Sequence, residues 1–179
     1  MLTITVKGQE SFNSRTQEFV YGEDVVLDLE HSLVSLSKWE SKYEKSFLSS
    51  DDKTPEETID YVRIMCLTPD VPPQVFMLLS EENITEINDY IAAKMTATTF
   101  SNMNARRSHE IITAEIIYYW MVEMQIDWQA QYWHLNRLLT LIRVVNEKRA
   151  PKKKMSPRDA ASRQRALNAA RRSRYGSSG

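Results

Sequence analysis

Glycine is scarce in this sequence. The chain has four glycines in 179 residues, and none lies between Gly22 and Gly176. A phosphate-binding loop needs glycine, because only then do its backbone amides come close to the ligand. The scarcity therefore excludes P-loop and Rossmann nucleotide sites. The sequence also lacks the Gly-x-Ser-x-Gly turn that carries a hydrolase nucleophile.

Cysteine is almost absent as well. The single cysteine, Cys66, excludes an internal disulfide and a thiolate metal cluster. Its setting, YVRIMCL, predicts a small buried apolar side chain, which suits a reducing compartment. The first residues, MLTITVKGQ, lack the basic start and apolar centre of a signal peptide. The longest apolar run, residues 116–124 interrupted only by Glu123, is about half a membrane span. We therefore expect a soluble intracellular protein.

Histidine is also rare, and no histidine is placed for chemistry. His31, His109 and His134 have no second histidine or cysteine at a zinc-ligand spacing. His109 lies beside Ser108 and Glu110, but neighbours in sequence point in different directions on a helix and form no catalytic triad. His134 falls near the polar side of its helix, so we expect it to be exposed. We predict no catalytic residue, no metal site and no cofactor, and therefore no enzyme.

Charge is distributed unevenly along the chain. Residues 147–179 hold eleven basic and two acidic side chains, a net charge of +9, whereas the other 146 residues hold twelve basic and twenty-two acidic ones, a net charge of −10. Together they give the net charge of −1. We therefore predict an acidic, mostly helical body over residues 1–148 and a basic, flexible linker and helical tail over residues 149–179.

The predicted fold is mainly α, with a small β-hairpin or sheet at the N-terminus. Residues 2–6, LTITV, alternate and are β-branched, which favours a strand. Extended segments are also predicted at residues 18–21 and 25–29, and a loop at residues 8–14. A lone hairpin is marginal in water, so these strands must pack on the helical body or on a neighbouring subunit.

Capping signals predict the helices that follow the strands. Ser32 precedes an apolar pattern with helical spacing, although several serines within that segment also allow an irregular structure. Thr54 is a clearer start, because Pro55 takes the first helical position and Glu57 completes a capping box. A short helix is predicted over residues 74–79. A further helix is predicted to start at Asn83.

Residues 108–148 contain no proline or glycine and are predicted to hold two helices. Residues 111–124 are apolar nearly all round, which predicts a buried helix at the centre of the core. Trp128 and Tyr132 begin a one-sided apolar stripe with steps of three or four residues, which predicts an amphipathic second helix. Asp127 is the predicted cap between the two helices.

Candidate partner-binding residues fall into two groups. Trp39, Tyr43 and Trp133 are expected to be exposed aromatic anchors of an interface, although Trp133 also fits a place in the core. The second group lies in the basic end and is suited to pair with phosphates or with an acidic protein. It comprises Lys152, Lys153, Lys154, Arg158, Arg163, Arg165, Arg171 and Arg172. The alternative for the basic end is a solvated tail without a partner.

Four segments together carry a family resemblance. They are HSLVSLSKWESKYEKSFL (His31–Leu48), TPEETIDYVRIM (Thr54–Met65), EINDYIAAKMTATTF (Glu86–Phe100) and HLNRLLTLIRVVNEK (His134–Lys148). In their residues and order, and in the basic end that follows them, they resemble the tail assembly chaperones of long-tailed, siphovirus-type bacteriophages. The resemblance covers roughly residues 25–170.

The resemblance implies a mostly helical, non-enzymatic protein of the host cell cytoplasm. Such a protein binds the tape measure protein, keeps it soluble, recruits the major tail tube protein during assembly, and is absent from the finished virion. Two alternatives stay open. One is a nucleic-acid-binding module that acts through the basic C-terminal helix, and the other is a structural component of the head–tail joint. Self-association also stays open, and no membrane partner is expected.

Overall fold

The computed structural model describes residues 1–13, 15, 17–49, 52–100, 111–150 and 157–176. Contacts within the chain define two units, Met1–Val145 and Asn146–Gly179. The predicted boundary after residue 148 remains a prediction. The first unit combines helices with small antiparallel sheets, and the second contains one basic helix. The predicted fold class, mainly α with a small N-terminal sheet and a basic helical tail, is confirmed.

Strands of the N-terminal region form two antiparallel pairs. They are β1 (Leu2–Val6), β2 (Glu10–Asn13), β3 (Glu18–Tyr21) and β4 (Val25–Leu29). β1 pairs with β4, and β2 pairs with β3. β1, β3 and β4 confirm the predicted strands. The predicted loop over residues 8–14 is wrong in part, because the segment ESFN becomes β2 through its pairing with β3 and not through its own weak strand pattern.

Two glycines lie where the chain passes from one strand pair to the other. A Cβ atom on Gly8 would lie 2.0 Å from the carbonyl oxygen of Gly22, a separation that no side chain tolerates. The backbone N–H of Gly22 donates to the carbonyl oxygen of Gln9 at 3.0 Å. The missing side chain of Gly8 therefore allows the two backbone segments to approach this closely.

Helices make up most of the remaining described chain. In chain order they are α1 (Leu33–Tyr43), α2 (Pro55–Met65), the 3₁₀ helix Pro73–Leu78, α3 (Glu81–Ala92), α4 (Ala114–Met124), the 3₁₀ helix Trp128–Tyr132, α5 (Leu135–Arg149) and α6 (Pro157–Tyr175). The short helix predicted over residues 74–79 is the first of the two 3₁₀ helices.

The first two α-helices begin at the predicted caps. The Ser32 hydroxyl accepts the backbone N–H of Ser35 at 3.2 Å, and the Ser35 hydroxyl accepts the backbone N–H of Ser32 at 2.9 Å. A serine that disfavours a helix interior therefore completes a capping box here. Thr54 and Glu57 form the predicted capping box of α2 in the same way, at 3.2 and 2.9 Å.

α3 starts earlier than the sequence pattern predicts. Ser80 is its cap, because the Ser80 hydroxyl accepts the backbone N–H of Asn83 at 3.1 Å. The Asn83 side chain in turn accepts the backbone N–H of Ser80 at 3.3 Å. The predicted start at Asn83 is therefore wrong, because Asn83 is the third helical residue and the partner of the true cap.

The central segment holds a 3₁₀ helix between its two α-helices. α4 ends at Gln125, which has a left-handed backbone with φ of 57°. The Asp127 carboxylate accepts the backbone N–H of Gln129 at 2.7 Å, so the predicted cap is confirmed, but it caps the 3₁₀ helix and not α5. α5 starts after His134, which forms a β-bridge with Ser32. Residues 108–110 of the predicted first helix lie outside the described residues.

The apolar core of the first unit consists of two clusters. The first contains only residues between Leu2 and Ile91, from β1, β4, α1, α2, α3 and the first 3₁₀ helix. The second joins Leu33 and Leu36 of α1 to α5, the second 3₁₀ helix and one face of α4: Ala114, Ile117, Met121 and Met124. The prediction that α4 is buried all round is wrong, because its opposite face exposes Tyr119 and Val122.

Glu40 of α1 fixes the start of α4. Its carboxylate is buried, and it accepts the backbone N–H of Ala114 at 2.6 Å and that of Phe47 at 2.8 Å. The first four N–H groups of a helix lack partners inside that helix, so a carboxylate at this position satisfies one of them and complements the helix dipole. Burial raises the pKa of Glu40, although the two N–H donors favour its charged form.

We expect Glu40→Ala to destabilise the fold. The substitution leaves the N–H groups of Ala114 and Phe47 without their acceptor, which costs about 2 kcal/mol of unfolding free energy. Urea denaturation measures the change. Lys38→Ala, at an exposed position of the same helix, is the matched control and should change stability by less than about 0.5 kcal/mol. Equal losses in the two variants would contradict the anchoring role.

Candidate functional site

Two of the predicted aromatic anchors belong to the core. Trp39 is fully buried, and its indole N–H donates to the carbonyl oxygen of Glu57 at 2.9 Å. The prediction that Trp39 is exposed is therefore wrong, because its ring fills the first core cluster and its polar atom is satisfied there. Tyr43 packs on the same cluster and is half-buried, with its hydroxyl donating to Asp60 at 3.1 Å. It is also less exposed than predicted.

Trp133 lies at the edge of the second core cluster. Its ring is half-buried. The Arg137 guanidinium lies 4.4 Å from the centroid of the Trp133 ring, at cation–π distance. Trp133 therefore combines a core contact with a partly covered outer face, and its role in partner binding stays a prediction.

The predicted basic residues are placed in part. Lys152, Lys153 and Lys154 lie outside the described residues. α6 carries the rest at exposed positions: Arg158, Arg163, Arg165, Arg171 and Arg172. Among the described side chains of α6 no apolar one is buried, and Leu167 is exposed. α6 therefore presents these arginines to solvent.

Four exposed aromatic and apolar side chains lie on α4 and on the second 3₁₀ helix, and the half-buried ring of Tyr118 lies beside one of them. We call this group the aromatic surface, and it comprises Tyr118, Tyr119, Val122, Trp128 and Tyr132. Trp128 and Tyr132 are 54% and 57% exposed, and Tyr119 and Val122 are 60% and 61% exposed. The Tyr118 and Trp128 ring centroids lie 5.7 Å apart. Clustered exposed rings of this kind mark interaction sites on soluble proteins.

A hydrogen bond orients the Tyr118 ring of the aromatic surface. The Tyr118 hydroxyl donates to the side-chain oxygen of Gln131 at 3.2 Å. Burial raises the pKa of Tyr118, with a smaller contribution from neighbouring Tyr132, so the hydroxyl stays protonated at neutral pH. Tyrosine and tryptophan supply large contact areas at a small cost in side-chain entropy, which makes them frequent interface anchors.

The predicted apolar stripe of the second central helix begins at Trp128 and Tyr132, and the prediction that these two side chains are in the core is wrong. The stripe assumes a continuous α-helix through α5. Residues 128–132 form a 3₁₀ helix, and α5 begins only at Leu135. A change from 3.6 to three residues per turn rotates the side chains away from the α-helical stripe. The residue that could have indicated this break is Asp127, because it is a helix cap that lies eight residues before the start of α5.

A buried polar cluster joins the two core clusters, and no sequence pattern predicts it. The His31 and His134 ring centroids lie 5.2 Å apart. Tyr61 places its hydroxyl 2.6 Å from His31 Nδ1, and His134 Nε2 lies 2.9 Å from the carbonyl oxygen of Tyr90. His134 is buried, so its predicted exposure is wrong. Because His134 precedes the first residue of α5, its position in the α-helical pattern does not predict where its side chain points.

Burial sets the charge state of this cluster. It lowers the pKa of His31 to about 4, with a further contribution from the neighbouring His134. It also lowers the pKa of His134, although the hydrogen bond to Tyr90 opposes this change. Burial raises the pKa of Tyr61, so its hydroxyl remains protonated beside the His31 ring. Both histidines are therefore uncharged at neutral pH.

The polar cluster is closed to solvent. His31 and His134 are 2% and 6% exposed. Among the described residues, every buried side-chain nitrogen or oxygen has a hydrogen-bond partner. A general base must reach the substrate whose proton it takes. These imidazoles instead connect β4, α2, α3 and the start of α5.

We expect the fold to lose stability in acid through His31. The folded pKa of about 4 lies below the ordinary value of 6.5, so the unfolded chain takes up the proton first as the pH falls. The contribution of His31 is complete above pH 6.5 and decreases as the pH approaches 4, by a total on the order of 3 kcal/mol. Urea denaturation between pH 8 and pH 4 measures the loss.

The matched variant for this measurement is His31→Asn, which does not titrate in this range. Its overall stability is lower, but its stability should depend less on pH than that of the wild type, because the carboxylates contribute equally in both. Identical pH dependences would show that His31 does not carry the effect.

Within the described ranges, no group of three or more His, Cys, Asp or Glu residues is placed to hold a metal ion. None of the helices described has the length and apolar character needed to cross a membrane. Among known proteins, no family model, no curated protein and no solved structure matches the chain.

Proposed function

We propose that this protein is a tail assembly chaperone of a long-tailed bacteriophage, without enzymatic activity. The observation that carries the proposal is the aromatic surface, in which four side chains of an ordered helical body are more than half exposed. The resemblance of four segments to such chaperones supports the same function. The client is the tape measure protein, and the site of action is the host cell cytoplasm.

The aromatic surface suits a helical client. A tape measure protein is a long helical chain whose apolar stripes would aggregate before the tail tube encloses them. An amphipathic helix binds by laying its apolar side chains against rings at intervals of three and four residues. Tyr119 and Val122 are spaced by three residues on α4, and Trp128 and Tyr132 extend the contact along the 3₁₀ helix. Covering them with the client removes apolar area of both partners from water.

The basic helix supplies a second kind of contact. Its exposed arginines would pair with carboxylates of the tape measure protein or of the major tail tube protein. Because α6 has little apolar surface, its binding should depend on salt more strongly than binding at the aromatic surface does. The predicted contacts of Lys152, Lys153 and Lys154 belong to this second site.

Co-expression with the tape measure protein encoded by the same phage tests the proposal. We expect the tape measure protein to be soluble and to co-purify with the wild-type chain. Trp128→Ala combined with Tyr119→Ser should weaken binding about thirtyfold or more and so reduce the co-purified amount, because hot-spot residues of this type contribute more than about 1 kcal/mol each. The double variant should fold normally, since both side chains are exposed.

Met77→Ala is the matched control for that experiment. Met77 is 75% exposed and lies on the first 3₁₀ helix, outside the aromatic surface. It should leave co-purification unchanged. A tape measure protein that stays equally soluble without this chain would refute the chaperone function, whatever the variants do.

A second candidate function is nucleic-acid binding through α6, which the exposed arginines favour. Such binding weakens steeply with salt, because phosphate contacts release counterions. We expect any DNA binding of the full chain at low salt to disappear when residues 150–179 are deleted. Absence of DNA binding by the full chain at low salt would exclude this function. Mass spectrometry of mature particles tests the structural head–tail alternative, because an assembly chaperone is missing from them.

A further inference from the structure

One edge of β1 has no neighbouring strand among the described residues. β1 pairs with β4, in the antiparallel register that sets Thr3 opposite Asp28. The N–H of Asp28 donates to the Thr68 hydroxyl at 2.9 Å, and its carbonyl oxygen accepts the N–H of Leu67 at 2.7 Å. The segment after α2 therefore covers the outer edge of β4, and the outer edge of β1 is where another strand can be added.

The register shows which backbone groups of β1 face outward. In an antiparallel ladder, opposite residues alternate between pairs that exchange hydrogen bonds and pairs whose N–H and C=O groups point away from each other. Because the backbone of Asp28 bonds to the segment after α2, its pair with Thr3 is of the second kind. The pair of Thr5 with Val26 lies two residues along and is of the same kind. The N–H and C=O groups of Thr3 and Thr5 therefore point away from β4.

Most of these outward groups are unpaired. The Asn83 side-chain amide donates to the carbonyl oxygen of Thr5 at 3.3 Å. Within the described chain, no hydrogen bond uses the other three groups, which are the two N–H groups and the carbonyl oxygen of Thr3. Both threonines are exposed, and the strand LTITV has no charge or proline of the kind that protects strand edges. The free edge of β1 is therefore suited to bind an extended segment.

α3 places negative charge beside this edge. It packs against β1 on the buried face of the sheet. Ile84 and Ile91 line a cavity with side chains of α2, so that flank of α3 faces α2 and the β4 side of the sheet. Glu82, Glu86 and Asp89 are spaced by four and three residues, which places them together on the opposite flank, towards the free edge of β1. We call these three carboxylates the acidic flank.

The acidic flank determines which partner fits the edge. Its three side chains are exposed, and no described basic side chain forms an ion pair with them. A strand added to β1 has every second side chain on the same face of the sheet as α3, where a basic side chain meets the acidic flank. A second copy of this chain fits poorly, because residues 1–146 carry a net charge of −10 and like charges repel across an interface.

We propose that the free edge of β1 binds an extended segment of a partner protein in which basic residues alternate with β-branched ones. The segment pairs antiparallel with β1, exchanges two hydrogen bonds with Thr3 and accepts the N–H of Thr5. Its basic side chains lie along the acidic flank, and its β-branched side chains lie beside the two threonines. This surface is separate from the aromatic surface and from α6, and its role does not depend on the chaperone function.

NMR titration of the ¹⁵N-labelled full chain tests the proposal with three acetylated, amidated peptides. The probe is Thr-Lys-Val-Lys-Thr. One control is N-methylated at valine, which removes an N–H that faces β1 and keeps the charge. The other control has glutamate in place of both lysines. We expect the probe to shift the amide signals of Thr3 and Thr5, and each control to bind at least about tenfold more weakly.

Thr3→Pro tests the backbone contact from the side of the protein. Its missing N–H faces away from β4, and proline at such a position is tolerated in an edge strand. Thr3→Val is the matched control, because both variants lose the 2.7 Å hydrogen bond from the Thr3 hydroxyl to Asp28, whereas only the valine variant keeps the N–H. We expect Thr3→Pro to weaken the probe about tenfold and Thr3→Val to leave its affinity unchanged.

Removing charge from the acidic flank tests the choice of partner. Glu82→Gln combined with Glu86→Gln should weaken the probe about threefold, because exposed ion pairs contribute little each. Glu56→Gln, at an exposed position of α2, is the matched control and should leave the affinity unchanged.

Equal binding of the probe and the N-methylated peptide would overturn the proposal, because attraction to the acidic flank alone would then explain the binding. So would equal binding of the glutamate peptide, or no shift of Thr3 and Thr5 with the probe at about 10 mM, well above the millimolar dissociation constants of weak complexes. Shifts of these two amides that depend on protein concentration alone would assign the edge to a second copy of the chain. The peptide comparisons use the unmodified protein, so they decide the question even if Thr3→Pro does not fold.

Discussion

The structure depends on the extended segment from the end of β4 to the start of α1, because distant parts of the chain hydrogen-bond to its backbone. The carbonyl oxygen of Asp28 accepts the N–H of Leu67 at 2.7 Å, and the N–H of Glu30 donates to the carbonyl oxygen of Met65 at 2.9 Å. The carbonyl oxygen of His31 accepts the N–H of Leu135 at 2.7 Å. This short stretch of backbone therefore positions the end of α2 and the start of α5. The His31 ring continues the connection inside the core, where it must stay uncharged.

The position of the aromatic surface follows from that connection. α4 packs on α1 through one face, and Glu40 fixes its first turn through the N–H of Ala114. α5 covers the same core cluster, starting from the residue that follows His134. With one face of α4 buried, the opposite face exposes Tyr119 and Val122, which none of the described residues buries. Exposure of these side chains is thus a consequence of how two helices share α1, and it supports the proposed binding of a helical client.

Features that depend on neighbouring residues, such as helix starts, could be predicted from the sequence, whereas side-chain burial and orientation set by tertiary contacts could not. Thr54 with Pro55 and Glu57 predicted the start of α2 correctly, because a capping box involves only neighbouring residues. The fold class followed in the same way, from the periodicity of apolar residues. Trp39 was misplaced because its burial depends on an acceptor on another helix, the carbonyl oxygen of Glu57. Residues 128–134 were misread because a 3₁₀ helix and an extended residue interrupt a pattern that looks continuous in the sequence. Trp128 and Tyr132 lie in this segment, so their place in the aromatic surface was not predicted.

The division of the core into two clusters has a consequence for the order of folding during synthesis. Every member of the first cluster lies between Leu2 and Ile91, so that cluster can form while the rest of the chain is still being synthesised. Leu33 and Leu36 belong to the second cluster and remain uncovered until α4 and α5 emerge. A nascent chain in which only the first cluster has folded would expose an apolar strip on α1. A protein that we propose shields apolar helices would then briefly expose one of its own.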